Sequence, residues 1–225
     1  MTELELRTNP SPFIPGWAGH ENVAYGNYDD DGLEDRIVVA DIGGSARVMV
    51  FHNPHGAAGE FNAEREWPVL LNAIVFEPTF RGGGRLKVVP AGDGLDAILI
   101  APGPGGGPAV ARIDQSGVFY FFAPYEHDFR GGLWVSTGDI DGDGEPEALF
   151  LPGEGGSPRL LAIDMRTFET ELSIFVGDPQ DTSGLARFEP TGGTIHRGPD
   201  LFFYIQYGDV VDFHAESKLV PVPRR

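Results

Sequence analysis

The chain of 225 residues contains no cysteine, so disulfide bridges and thiolate metal ligands are excluded and the redox compartment is left open. It also has few cations, with 16 lysines and arginines against 34 aspartates and glutamates and a net charge of −18. Nucleic acids and anionic membranes are bound through basic faces, so neither is an expected partner. The carboxylates either form a solvated acidic surface or, in part, bind divalent cations.

Long apolar runs and a leader-like segment are also lacking. No apolar run reaches the roughly 18 residues that span a bilayer, so membrane insertion is not predicted. The first eight residues alternate and carry acids, unlike a signal peptide. We therefore expect either a cytoplasmic protein or one whose leader has been removed.

Glycine and proline are abundant instead. The 32 glycines and 19 prolines make 51 of the 225 residues, and they interrupt apolar runs rather than forming one block. This density disfavours long helices. Hydrophobic residues make up 41% of the chain, which is enough for a core. The pattern predicts many short strands joined by turns, in one large domain or two small ones.

An eight-residue motif occurs twice, fifty positions apart. The two copies are Ala-Pro-Gly-Pro-Gly-Gly-Gly-Pro at 101–108 and Leu-Pro-Gly-Glu-Gly-Gly-Ser-Pro at 151–158. Upstream, Phe-Arg-Gly-Gly at 80–83 recurs at 129–132. Weaker copies flank these two, and each copy contains about four short apolar segments. A period near 50 with four strands per unit is typical of the blades of a β-propeller.

We predict an all-β propeller of about four blades, each of four antiparallel strands, in a single domain covering 1–225. The blades are placed approximately at 13–75, 76–121, 122–174 and 175–225. The second apolar segment of each unit is continuous, which is typical of strands buried on both faces. Residues 1–12 alternate as an outer strand does and are predicted to close the ring. A partial ring completed by a second copy is the alternative.

Two acidic loops share one spacing, with oxygen-bearing side chains at positions 1, 3, 5 and 9 and glycine at position 6. These side chains are Asn27, Asp29, Asp31 and Asp35 in the first loop and Asp139, Asp141, Asp143 and Glu147 in the second. Calcium takes six to eight oxygens at about 2.3–2.6 Å, and glycine permits the sharp bend. Position 7, Leu33 or Glu145, would supply its backbone carbonyl. The spacing predicts two calcium sites.

An EF-hand and a plain turn of solvated acids are the alternatives to such calcium loops. An EF-hand needs a glutamate at position 12 and flanking helices, but Val38 and Phe150 stand at that position inside apolar segments. A turn of solvated acids explains one loop, but two loops with the same spacing at equivalent points of a repeat favour metal binding. The corresponding turns at 92–96 and 192–200 are shortened or lack acids, and no calcium is predicted there.

The segment Gly138-Asp-Ile-Asp-Gly-Asp-Gly-Glu-Pro-Glu147, with the glycine-rich run at 103–108, resembles the FG-GAP/VCBS repeats of integrin α-chain propellers and bacterial surface proteins. The resemblance covers nearly the whole chain and is strongest in the middle two units. It implies a propeller with calcium loops and favours a secreted or cell-surface location. Asn27 and Glu147 depart from the family pattern, and four units are found where integrin propellers have seven.

The family includes adhesion, lectin-like and accessory domains, so the resemblance does not fix function. We expect a non-enzymatic, calcium-stabilised domain that binds a carbohydrate or protein surface. The alternatives are a polysaccharide hydrolase or lyase with its site at the propeller channel or loops, and an assembly module that forms a homo-oligomer. No histidine pair has the spacing of a metalloprotease site, and the nearest pair is His52 and His55. Trp17 and Tyr125 are candidates for stacking on a sugar.

Overall fold

The computed structural model describes residues 19–53, 67–92, 94–140, 144–176, 178–180 and 182, together with short strands at 187–189, 204–206 and 212–214. These residues form only strands, turns and irregular segments, so the all-β prediction is confirmed for this part of the chain. No helix able to cross a membrane occurs in it. The predicted closing strand at 1–12 and the candidate Trp17 lie outside the described residues.

Three four-stranded antiparallel sheets follow one another, each with its strands in chain order. The first contains β1 (Glu21–Gly26), β2 (Asp35–Ala40), β3 (Arg47–Phe51) and β4 (Val69–Ile74). The second contains β5 (Gly84–Gly92), β6 (Leu95–Pro102), β7 (Val110–Ile113) and β8 (Phe119–Phe122). The third contains β9 (Leu133–Gly138), β10 (Glu147–Pro152), β11 (Arg159–Ile163) and β12 (Thr170–Phe175). A three-stranded antiparallel sheet contains β13 (Arg187–Glu189), β14 (Tyr204–Gln206) and β15 (Asp212–His214).

Glycine-containing turns set this chain-order topology. The β6–β7 connection contains the glycine-rich run, where Gly105 has a φ of 82°; this left-handed conformation costs glycine little. At the β5–β6 connection, Gly92 pairs with Leu95, so the hairpin is as short as predicted. Strands joined by short turns pair with their neighbours in sequence, which explains the chain-order pairing of the second and third sheets.

The second strand of each four-stranded sheet is buried on both faces. In β6, Ile98 and Ile100 belong to a core shared with the first sheet, whereas Leu99 belongs to a core shared with the third. In β10, Phe150 faces the core shared with the second sheet and Leu149 belongs to a separate one. Successive side chains of a strand point to opposite faces, so a strand covered on both faces needs apolar residues along its whole length. The prediction that these continuous apolar segments are buried on both faces is confirmed for β2, β6 and β10.

The first strands of successive sheets are neighbours: β1 contacts β5, β5 contacts β9, and β9 contacts β13. Beside them, glycine backbones meet at the junctions between sheets. Gly132 N donates to Gly106 O at 3.2 Å between the second and third sheets, and Gly43 N donates to Arg81 O at 2.7 Å between the first and second. A side chain on Gly132 would overlap the backbone of Gly103 in the neighbouring sheet. The repeated Phe-Arg-Gly-Gly motif therefore allows the close approach of backbones where the sheets meet.

Candidate metal centre

The two acidic loops occupy equivalent positions in the first and third sheets. The first joins β1 to β2, where Gly26 pairs with Asp35, and the second joins β9 to β10, where Gly138 pairs with Glu147. Position 6 is left-handed in both, with a φ of 80° at Gly32 and 96° at Gly144. These values explain the glycine at position 6, because other residues adopt them at a cost.

Two hydrogen bonds recur at matching positions of the loops. At position 1, Asn27 Oδ1 accepts from Gly32 N at 3.3 Å and Asp139 Oδ2 accepts from Gly144 N at 3.0 Å. At position 9, Asp35 Oδ2 accepts from Tyr28 N at 3.1 Å and Glu147 Oε2 accepts from Ile140 N at 2.7 Å. The longer side chain of Glu147 thus reaches the same backbone donor as Asp35. Asp141 and Asp143 lie outside the described residues.

The position-9 carboxylates are buried, with an exposed fraction of 0% for Asp35 and 4% for Glu147. Asp35 Oδ1 also accepts a hydrogen bond from Asn53 N at 3.0 Å. Burial raises the pKa of Asp35 and the negative charge of Asp29 adds to this, while the hydrogen bonds from Asn53 and Tyr28 lower it. A buried carboxylate needs hydrogen bonds or a counter-ion to stay charged, and a cation in the loop would stabilise the ionised form further.

The structure adds a histidine to the first loop. His52 directly follows β3, and its Nδ1 lies 2.9 Å from Asp29 Oδ2, 3.6 Å from Asp35 Oδ1 and 3.9 Å from Asp31 Oδ2. One donor atom from each of Asp29, Asp31 and His52 lies within 4.8 Å of the other two. Two of the predicted ligands, Asp29 and Asp31, are therefore brought together with His52, and this group could hold a metal ion.

The other predicted residues of the first loop are engaged differently. Asn27 donates its amide to Gly94 O at 2.9 Å, and its backbone N donates to Asp96 Oδ2 at 2.8 Å, so it links the loop to the second sheet. Leu33 N donates to Asp31 Oδ1 at 2.8 Å, which shapes the turn. In the second loop, Glu145 and Glu147 line a small cavity of about 250 Å³ together with Asp164.

The proximity of His52 to the first loop was not predicted from the sequence, where His55 is its nearest histidine. His55 lies outside the described part of the chain. A signal was nevertheless present. Asn27 and Asp139 are 112 positions apart, as are Asp35 and Glu147, and the same offset takes His52 to Asp164. Aligning the first and third units at this offset places His52 where the third unit has the aspartate after its third strand.

A larger cavity of about 850 Å³ lies beside the glycine-rich turns of the second and third sheets. Its charged and aromatic lining residues are Tyr125, Glu126, Asp128, Phe129, Arg130, Glu154, Arg159 and Phe175. Tyr125, a candidate for sugar stacking, is buried. Its hydroxyl lies 2.7 Å from both Phe150 O and Arg159 O, and burial raises its pKa well above its usual value. Tyr125 is therefore a buried part of the cavity wall, and the exposed Phe175 provides the aromatic ring that a ligand can reach.

Comparison of the chain with protein-family models finds no matching family, and comparison with curated proteins finds no matching relative. The function is consequently inferred from the geometry of the loops and of the large cavity.

Proposed function

We propose that the chain is a calcium-stabilised β-propeller of four blades, of the FG-GAP/VCBS type, that binds a carbohydrate or protein surface. The proposal rests on the close approach of three carboxylates in the first loop. Asp29, Asp31 and Asp35 each place a carboxylate oxygen within 3.9 Å of one atom, His52 Nδ1. Carboxylates this close repel one another, and a bound cation turns the repulsion into attraction.

The arrangement of the sheets supports the propeller. In this fold, four-stranded meandering sheets stand around a central axis, with the first strand of each blade innermost. Here the sheets follow the chain, neighbouring sheets share cores, and β1, β5, β9 and β13 contact one another in succession. The proposed blades are 13–75, 76–121, 122–174 and 175–225, with 1–12 as the closing strand.

Calcium in this proposal is part of the scaffold. Each loop closes the hairpin between the first two strands of its sheet, so an ion bound there pins the turn and neutralises its acids. Because the carboxylates come together only in the folded chain, the binding free energy appears as folding stability. Recognition of the ligand is assigned to the large cavity, whose exposed aromatic ring and mixed charges suit a sugar or a polar protein surface.

Millimolar calcium is expected to raise the melting temperature, and a chelator to reverse the rise. An ion at 100 times its Kd contributes about 2.7 kcal/mol per site, which corresponds to roughly 5–10 °C for a domain of this size. Differential scanning fluorimetry measures the shift. Asp29→Ala in the first loop and Asp141→Ala in the second are each expected to remove part of it. An unchanged melting temperature on calcium addition, or full shifts in both variants, would contradict the proposal.

A glycan array probed with and without calcium tests the binding function. Phe175→Ala, at the cavity, is expected to weaken binding of any captured glycan about tenfold or more, since exposed aromatic anchors dominate such interfaces. Phe121→Ala is the matched control, because Phe121 is also an exposed phenylalanine on an outermost strand but does not line the cavity. An equal loss of glycan binding in both variants would argue against this cavity as the binding site. Cleavage of a captured glycan would support the hydrolase or lyase instead.

A further inference from the structure

We propose that the first loop together with His52 forms a mixed nitrogen–oxygen site that binds a first-row transition-metal dication, such as Zn²⁺, more tightly than calcium. This inference rests on the proposed role of that loop as a metal site. The second loop supplies only oxygen ligands by its sequence, so the two loops would differ in the ion they prefer.

The spacing of the donor atoms fits one small ion. With metal–ligand distances of about 2.1 Å, neighbouring ligands of an octahedral ion lie about 3.0 Å apart and opposite ligands about 4.2 Å apart. His52 Nδ1 lies 2.9 Å from Asp29 Oδ2 and 3.9 Å from Asp31 Oδ2. The donor atoms of Asp29, Asp31 and His52 all lie within 4.8 Å of one another. Only small side-chain adjustments are therefore needed to place all three on one ion.

The burial of the imidazole nitrogen is a second observation. His52 Nδ1 is shielded from solvent and makes no hydrogen bond among the described residues, although Asp29 Oδ2 lies 2.9 Å away. A buried ring nitrogen without a partner is uncommon in a folded protein. Coordination through the Nδ1 lone pair would satisfy this atom, and neutral imidazole is a frequent ligand of zinc and other transition metals.

The second and third units have an aspartate at the position that His52 occupies in the first. Asp164, the counterpart of His52 in the third unit, accepts hydrogen bonds from Arg166 N at 2.6 Å and Thr167 N at 3.1 Å. Asp114 of the second unit similarly accepts from Ser116 N at 2.9 Å. Both aspartates cap the turn that follows them, whereas His52 faces the acidic loop. A nitrogen ligand therefore stands beside the first loop in place of a turn cap.

The nature of the ligands sets the preference. Calcium binds hard oxygens in flexible shells of six to eight ligands, and an imidazole nitrogen contributes little to such a shell. Zinc and its neighbours in the first row form strong bonds to imidazole nitrogen and also accept carboxylate oxygen. The imidazole of His52 beside the carboxylates consequently favours these ions over calcium at the first loop.

Isothermal titration of the full chain with Zn²⁺ and, separately, with Ca²⁺ tests the inference. An Asp141→Ala background removes the second site, so that the first is measured by itself. In this background we expect Zn²⁺ to bind at least about tenfold more tightly than Ca²⁺, and His52→Asp to lower the Zn²⁺ affinity by about tenfold or more without lowering the Ca²⁺ affinity. Co²⁺ provides a second readout, through visible absorption bands that change in His52→Asp.

His127→Ala is the matched control, because His127 is an exposed histidine away from the loop, and it is expected to leave zinc binding unchanged. Circular dichroism in a chelator checks that each variant is folded. Equal Zn²⁺ affinity in the parent and His52→Asp, or tighter Ca²⁺ than Zn²⁺ binding in the Asp141→Ala background, would overturn the inference. Zinc binding that depends on His52, without any calcium binding, would support the inference and refute the proposed calcium function. Calcium binding to both loops without an effect of His52→Asp on zinc would refute the inference and support the calcium function.

Discussion

Gly83→Ala is expected to destabilise the fold by about 2–5 kcal/mol. Gly83 has a φ of 72°, where a side chain costs about 1–2 kcal/mol. Its added Cβ would also lie 2.5 Å from Asp41 O and 2.5 Å from Ile42 N, so the backbone of the first sheet would have to move. Overpacking of a well-filled contact costs about 1–3 kcal/mol more. Urea unfolding followed by tryptophan fluorescence measures the loss.

Gly105→Ala separates the two causes. Gly105 has a φ of 82°, close to that of Gly83, but a Cβ there would have no atom within 4 Å. This control is expected to lose only the conformational part, about 1–2 kcal/mol. Equal losses in the two variants would show that the junction between sheets tolerates a side chain. Gly132, which is also left-handed and packed against Gly103, offers a repeat of the comparison at the next junction.

The repeat made the strands and the sheets predictable. Short-range signals determine these features: glycine turns define the hairpins, and continuous apolar segments identify the strands that are covered on both faces. Ile98 and Leu99 show this directly, since adjacent residues of β6 face different neighbouring sheets. An EF-hand could likewise be ruled out from the sequence, because Val38 and Phe150 stand where that motif needs glutamate. Both are buried strand residues in the structure.

The histidine beside the first acidic loop could not be found in the same way. His52 reaches the loop because β3 pairs with β2 in a register that sets Phe51 opposite Arg36, which brings the next residue alongside Asp35. Register is a property of the assembled sheet and not of either strand by itself. Local spacing showed only that His55 is the nearest histidine to His52 in the sequence. The alignment of the first and third units places His52 at the position of Asp164, directly after the third strand, but only the assembled sheet shows that it faces the loop.

Asp35→Ala is expected to cost about 2–6 kcal/mol even when a chelator keeps the loop free of metal. The substitution leaves the backbone N–H groups of Tyr28 and Asn53 without their buried acceptor, and each unsatisfied buried donor costs about 1–3 kcal/mol. Chemical denaturation in excess chelator measures this loss. The experiment thereby distinguishes the structural role of the carboxylate from its role as a ligand.

Asp31→Ala is the matched control, because Asp31 belongs to the same loop but is exposed and accepts a hydrogen bond from Leu33 N within the turn itself. In the chelator it is expected to change stability by less than about 1 kcal/mol, since exposed positions tolerate substitution. Both variants are expected to lose the stabilisation that we propose a metal ion gives the first loop. If Asp35→Ala were as stable as Asp31→Ala in the chelator, the two backbone hydrogen bonds would contribute little. The buried carboxylate would then be present for the metal ion alone, and the loop would depend on that ion to close.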